Sequence, residues 1–532
     1  MPRATDPIAG EVFRHLFISV AEEMGVTLER TAYSPNIKER RDHSCAVFDA
    51  EGFLVAQAAH IPVHLGAFPL MMARVVPQFS WKRGDVVICN DPFIGGTHLP
   101  DISVVSPVFT QSGRLAGFVA NRAHHADVGG SFPGSMGATT EVYQEGVIIP
   151  PLKLCDGGAP NEPLLDLLCR NVRTPEERRG DLAAQLAANA TGARRFEHLL
   201  LQYGLREVRM RIRHARGQAE DAARALLSGF PPGRFSFTDY LDDDGYGSGP
   251  LPISVTLWVA DGRLVLDFTG TAPQQKGSIN ATLAVTSSAA YYALICLLPE
   301  EIPINHGAFA AVEVRAPEGS VVNARAPAAV AAGNVETSQR IVDAIFGALA
   351  QALPDQLPAA SQGTMNNLTL GGIHPETGEA WAYYETLGGG AGGSPEGAGA
   401  SGIHCHMSNT RNTPAEALEY HYPLRVCRYG IRDGSGGAGF HSGGAGVVRE
   451  VEVLGEVTAT LLTDRRVRRP YGLRGGSDGQ AGANSFLAPG ATEWEAAPAK
   501  GSLALPAGTR LRIESPGGGG WGGENDEEGR TE

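Results

Sequence analysis

Apolar residues recur along this chain with two different periods, and the changes from one to the other mark its organisation. Val12, Leu16, Val20 and Met24 fall on every fourth residue, with Phe13 and Phe17 widening the stripe, which predicts a helix with one face on the core. Asp6-Pro7 is its start signal, an N-cap acid followed by proline at the first helical position. Short strand-like runs follow at 45–48 and 53–56, joined by the turn Asp49-Ala-Glu-Gly. Two longer apolar runs, 102–109 and 115–123, flank the segment 110–114, whose Gln-Ser-Gly reads as a hairpin turn.

From 161 to 227 the period becomes helical, carried by Leu182, Leu186, Leu199, Val208, Ile212 and Leu226 in Ala-rich text. Thr174-Pro-Glu-Glu177 fits a capping box, and Arg178-Arg179 and Arg194-Arg195 read as solvated faces. Pro231-Pro232-Gly233 ends the helices, and alternating runs at 235–241, 253–259 and 263–268 predict strands. The apolar stretch 281–298 contains Thr, Ser and Tyr and stops at Pro299, so it predicts a buried helix and not a membrane span. Residues 333–340 lead into a further helix through Ile341, Ile345 and Leu349. Glycine clusters at 388–393, 434–439 and 517–520, interrupted by apolar strands, predict tight turns and close backbone approach. The expected fold class is α+β with several subdomains: an N-terminal α/β region over 1–160, a helical segment over 161–230, a glycine-rich, β-rich region over 231–523, and a disordered acidic tail over 524–532.

The hairpin carries the chemistry. With Ser112-Gly113 as a two-residue turn, Asp101 lies opposite His124, and directly opposed residues share a face with Cβ atoms about 4.5–5.5 Å apart. His98 sits on the loop entering the first strand and can reach the same point. A slip of one residue would exchange His124 for His125. Asp42, at another strand entrance, is a candidate fourth ligand, and His60 and His64, with Pro62 between them, are weaker candidates for the surroundings of the site. Imidazole with carboxylate suits zinc, manganese or iron and disfavours calcium. No thiolate pair lies nearby, so the expectation is an open, catalytic site and not a closed structural one.

A formal charge of −14 argues against nucleic acid as a partner. Apolar residues at 42% and charged residues at 19% fit a globular chain. Cysteines at 45, 89, 155, 169, 296, 405 and 427 form no Cys-x-x-Cys, which predicts free thiols in a reducing, cytoplasmic compartment. Asp6, Glu11 and Arg14 interrupt any signal-peptide core. There is no G-x-x-x-x-G-K-[ST], and the two G-x-G-x-x-G matches at 397–402 and 434–439 lack a strand-to-helix context, so no nucleotide site is legible.

Six ordered stretches, NIKERRDHSCAVFD, NDPFIGGTHLPD, ANRAHHADVGG, GNVETSQR, SQGTMNNLT and MSNTRNTPAEALEYHYPLRV, closely resemble the hydantoinase B/oxoprolinase family across 6–523. The resemblance implies the metal-bearing subunit of an ATP-dependent cyclic-amide hydrolase, in a hetero-oligomer where a separate hydantoinase A-type ATPase holds the ATP and phosphorylates the substrate. It implies His98 and Asp101 from HLPD, His124 from HHADVGG and Asp42 from ERRD as ligands of a divalent transition metal, zinc or manganese or else iron. His125 joins the catalytic set, with Asp91 or Asp127 also able to orient ligands, and Glu336, Asn366, Asn367, Asn409 and Arg411 are substrate-pocket candidates. Two residues depart from the family pattern: His43 stands where Phe is expected, and Ala398 where Asp is expected. Related members imply one alternative, a ketone carboxylase subunit, and a reading from a different class is a non-catalytic scaffold for the ATPase.

Overall fold

The structure, a computed structural model, describes residues 7–58 and 60–523. The N-cap expected at Asp6 and the tail expected at 524–532 lie outside them. The chain opens with helix α1 (Pro7–Thr31), whose buried residues include Phe13, Phe17, Val20, Met24 and Leu28, while Val12 is 47% exposed. The buried stripe therefore runs one residue away from the predicted start, because strict fourth-residue spacing drifts around a helix of 3.6 residues per turn. A short α2 (Pro35–Lys38) follows, and then strands β1 (His43–Asp49) and β2 (Leu54–Gln57), α3 (His64–Val75), β3 (Val86–Cys89), β4 (Asp101–Phe109), β5 (Leu115–His124), β6 (Leu152–Asp156) and β7 (Ala159–Pro160). These strands make one antiparallel sheet in the order β2-β1-β5-β4-β3-β6-β7.

Both faces of this sheet are covered, which is why β1, β4 and almost all of β5 are buried end to end instead of alternating. Helix α4 (Glu162–Arg170) leads to the long α5 (Pro175–Ser228), in which Gly204 takes φ 78° and breaks the helix into two stretches. On one face α1 and α5 pack through Phe17, Met24 and Phe196 against Val47, Val119 and Ala123. On the other, α3 packs through Phe68 and Met72 against Ala46, Phe118 and Ala120. The capping box at Thr174 is absent: the Thr174 side chain caps nothing, and Glu177 pairs with Arg178 instead. Arg178 is accordingly buried, bonded to Asp181 at 2.9 Å, where a solvated face was expected.

A second sheet, β11-β10-β9-β8, is built from β8 (Phe235–Leu241), β9 (Leu251–Ala260), β10 (Arg263–Asp267) and β11 (Val312–Arg315). Around it lie α6 (Leu283–Ile295) and α8 (Ser338–Ala352), and the core they enclose reaches Ile61 and Val63 beside α3, whereas α7 (His306–Phe309) packs on α5 and joins the core beneath the first sheet. No helix among the described residues is long and apolar enough to cross a membrane. The C-terminal part adds β12 (Asn367–Ile373), β13 (Ala380–Glu385), α9 (Ala415–His421), β14 (Leu424–Arg432), β15 (Gly446–Val453), β16 (Val457–Leu462), β17 (Ala483–Leu487), β18 (Glu495–Ala496), β19 (Lys500–Leu505) and β20 (Arg510–Glu514). Two sheets, β13-β12-β16-β19 and β14-β15-β20-β17-β18, enclose a core that includes Leu368, Tyr383, Val451 and Leu511. Beyond them the glycine clusters stack backbone on backbone: Gly518 N–H donates to Gly444 O, Gly437 N–H to Gly518 O, Gly444 N–H to Ala391 O, and Gly393 N–H to Gly519 O.

The hairpin between β4 and β5 corrects the predicted turn. Gly113 N–H bonds Thr110 O and Thr110 N–H bonds Arg114 O, so the loop has three residues, with only Gly113 at positive φ (79°). Ser112 does not take the left-handed conformation that a type I′ turn demands of it, and the chain instead places the single glycine third. A bulge follows, between the pairs Val108↔Gly117 and Phe109↔Leu115. The three-residue loop and the bulge displace the register in opposite senses, and Asp101 pairs with His124.

Candidate metal centre

Asp101 and His124 leave the ladder on the α3 side of the sheet. His98 comes to meet them from the turn before β4, where Asp101 N–H bonds His98 O and Asn90 holds Leu99 O. Three atoms converge: His98 Nε2 lies 3.3 Å from Asp101 Oδ1, His124 Nδ1 lies 3.3 Å from the same oxygen, and the two nitrogens are 3.1 Å apart. All three residues are buried, and they are the one group of this kind among the described residues.

Each of the three is aimed by neighbours. His98 Nδ1 lies 3.2 Å from Ala331 O, which only accepts, so the proton sits on Nδ1 and the Nε2 lone pair faces the cluster. Asp101 Oδ2 is taken by Thr97 Oγ1 and by His64 Nε2 at 3.2 Å, which leaves Oδ1 for the convergence. His64 is itself held by Ser44 Oγ at 2.8 Å. The His124 ring stacks on Tyr384, centroids 4.5 Å apart at 15°, and its backbone bonds Asp42 O and Asn36. Burial pushes the Asp101 carboxyl up, but His98, His64 and the hydrogen bonds from His124 and His64 together hold it well below the usual carboxylate range.

The donor set fits a transition-metal ion. Ligand atoms that each stand about 2.0–2.2 Å from one ion lie about 3.0–3.5 Å from one another, the spacing found here. His124 Nε2, the ring nitrogen turned away from the convergence, is buried without a partner.

The remaining sequence candidates lie at different distances from this point. Asp42 is buried beside His124 but outside the convergence, its carboxylate 3.8 Å from Arg40 Nη1; burial raises its pKa against the pull of His124 and Arg40. His125 projects from the opposite face, where Nε2 meets Gln185 Oε1 of α5 at 3.0 Å. Asp91 caps the turn at Phe93, and Asp127 binds Gly129, Gly134 and Arg173, so neither orients a member of the cluster. Glu336 and Asn367 belong to a chain that ends on the cluster: Asn367 Nδ2 donates to Glu336 Oε1 at 2.8 Å, and Tyr384, stacked on His124, donates to Asn367 Oδ1 at 2.9 Å. Asn366 is spent within the fold on Gln362, Leu387 O and Arg466. Asn409 bonds His60 O and lines a cavity of about 380 Å³ together with His60, Ile61 and Tyr292, and Arg411 N–H bonds Arg40 O. His43 packs edge-on against His60 at 4.7 Å with both ring nitrogens unpartnered, filling the place of an aromatic ring, and Ala398 is exposed.

Sequence reasoning missed Thr97, Tyr384, Asn334 and Glu145, and gave His64 too little weight. Glu145 is buried and accepts from Val330 and Ala331 N–H and from Thr139, which braces the loop whose carbonyl orients His98. The usable signal was an acid beside the apolar run Val147–Ile149.

The family model for hydantoinase B/oxoprolinase matches residues 6–524. The chain belongs to that family. It is 40% identical to 5-oxoprolinase 1 of Arabidopsis thaliana over 97% of its own length, but spans only 42% of that relative. It is 33% identical to a protein of Pseudomonas sp. (strain NS671) named for the B component of a D-/L-hydantoinase, covering 97% of this chain and 90% of that one. Among solved structures, the ATP-dependent caprolactamase from Pseudomonas jessenii superposes with a TM-score of 0.91 at 29% identity, over 98% of this chain and 91% of the other. These three relatives of the hydantoinase B/oxoprolinase member carry the names of an oxoprolinase, a hydantoinase and a caprolactamase.

Proposed function

We propose that this chain is the metal-bearing catalytic subunit of an ATP-dependent cyclic-amide hydrolase, opening a phosphorylated intermediate made by a partner ATPase. The observation that carries the reading is the convergence of His98 Nε2, Asp101 Oδ1 and His124 Nδ1 within 3.3 Å of one another. His98, Asp101 and His124, with Asp42 beside them, would hold a divalent zinc, manganese or iron ion, which would supply Lewis acidity and lower the pKa of water toward neutrality. The protein's own part is positional. Thr97 and His64 fix one carboxylate oxygen of Asp101, Ala331 fixes the tautomer of His98, and Tyr384 shields His124. An amide resists water, whereas its O-phosphorylated form offers an electrophilic carbon and a good leaving group. Phosphorylation falls to the partner in this reading, because no phosphate-cradling loop is legible in this chain.

The test pairs the purified chain with a hydantoinase A-type ATPase and assays ATP turnover across a panel of lactams, hydantoins and 5-oxoproline, with and without chelator. Ring opening that needs ATP, both chains and the metal is expected. ATP turnover that requires bicarbonate would mark a ketone carboxylase instead, and activity indifferent to chelators would mark a scaffold.

A further inference from the structure

Residues Gly333–Thr337 form a π-helical turn, buried throughout, that runs directly into α8. Such turns are rare and concentrate at functional sites, because the wider turn re-aims a side chain. The side chain re-aimed here is Asn334. Its Nδ2 lies 3.1 Å from His98 Nε2, and its Oδ1 is buried with no partner. The residue is 5% exposed.

Two facts on the same atom conflict once an ion is present. His98 Nε2 carries the lone pair, since Nδ1 donates to Ala331 O. Without a cation, that lone pair accepts from the Asn334 NH₂ group. With a cation on it, the NH₂ hydrogens would face positive charge. The nitrogen and oxygen of a side-chain amide occupy interchangeable places, and the surroundings decide which goes where. Turning the amide over puts Oδ1 where Nδ2 stands, at about the spacing from His98 Nε2 that separates the other members of the cluster.

We propose that Asn334 is a neutral oxygen ligand of the centre formed by His98, Asp101 and His124, delivered by the π turn. The proposal rests on the reading of that cluster as a metal site. A neutral amide leaves a divalent ion with more positive charge than a second carboxylate in the same place would.

The experiment titrates the metal-free chain with Zn²⁺ or Co²⁺ against a chromophoric chelator, comparing wild type, Asn334→Ala and Asn334→Asp, and records the visible spectrum of the cobalt forms. Wild type is expected to take one ion per chain. Asn334→Ala should bind at least about tenfold more weakly, with altered cobalt bands from the lost donor. Asn334→Asp keeps an oxygen but, once ionised, cannot donate a hydrogen bond, and should bind at least as tightly as wild type. Circular dichroism checks folding, and if Asn334→Ala does not fold, Asn334→Asp decides alone. Wild-type affinity and spectrum in Asn334→Ala would overturn the proposal. So would an Asn334→Asp variant weaker than wild type, because donation to His98 would then be the group's role. A wild-type chain that takes up no metal overturns the metal reading itself, an outcome distinct from both.

Discussion

His64 Nε2 and Asp101 Oδ2 lie 3.2 Å apart on the α3 side of the N-terminal sheet, and that contact selects which carboxylate oxygen turns toward His98 and His124. Without it Asp101 is held on that side by Thr97 alone. His64→Leu is therefore expected to keep the fold and weaken metal binding by about 10–100-fold, the usual cost of losing a group that orients a ligand. Unchanged metal affinity in a folded His64→Leu protein would refute this.

The three converging residues and their neighbour His125 should separate cleanly. Elemental analysis of His98→Ala and His124→Ala should show the metal lost and the circular dichroism retained. His125→Ala should keep its metal, because His125 faces Gln185 on the other side of the sheet. Its cost should appear in stability instead, about 1–3 kcal/mol for leaving the Gln185 oxygen short of a partner. Metal loss in His125→Ala, with metal kept in His124→Ala, would show the roles to be exchanged.

Glu145 should make stability depend on pH. Burial lifts its carboxyl from 4.5 to about 7, against the hydrogen bonds from Ala331, Val330 and Thr139. Below pH 4.5 both folded and unfolded forms are protonated and nothing is lost. Between 4.5 and about 7 the unfolded chain ionises first, so stability falls as pH rises, by up to about 1.4 kcal/mol per pH unit of separation. Glu145→Gln removes this slope. Urea unfolding of the two proteins at pH 5 and pH 8 should show the variant gaining on wild type at the higher pH; parallel behaviour would contradict the burial argument.

Isolated from any partner, the chain should neither bind nor hydrolyse ATP at a meaningful rate. Calorimetric titration of the purified chain with MgATP checks this, and tight binding would overturn it.

The glycine stack should be intolerant of a single methyl group. A Cβ on Gly518 would overlap Ala391 O, and one on Gly444 would overlap Ala400 O, whereas one on Gly397 meets nothing within 4 Å. Gly518→Ala should cost at least the roughly 1–3 kcal/mol of an overpacked core, and Gly397→Ala should be near neutral. Equal melting temperatures for the two variants would show that the stack can open.

The α+β class, the covered hairpin and the convergence of His98, Asp101 and His124 were legible because local rules determine them: period, turn residues, and the fixed alternation of a ladder. The register came out as expected although the loop is one residue longer than assumed, because the bulge after it restores the pairing. No sequence signal distinguishes that pair of compensating shifts from a simple two-residue turn. Asn334 and Tyr384 were out of reach for a different reason. They approach the cluster from elements more than 200 residues away in sequence, and a π turn has no recognisable spacing. Arg178 failed the solvated-face rule because Glu177 and Asp181 compensate its burial, which only the assembled helix pair shows.

The stack also has an order along the chain. Within 517–520, Gly518, Gly519 and Gly520 N–H donate to Gly444 O, Ala360 O and Ser477 O, and Gly518 O and Gly519 O accept from Gly437 and Gly393. The segment at its centre thus follows every strand of the sheets it joins. Its partners Gly444 O, Ala360 O and Ser477 O all lie earlier in the chain than the glycines that bond them. A chain halted after Glu514 would carry every strand of its two C-terminal sheets and still lack the piece that joins their loops.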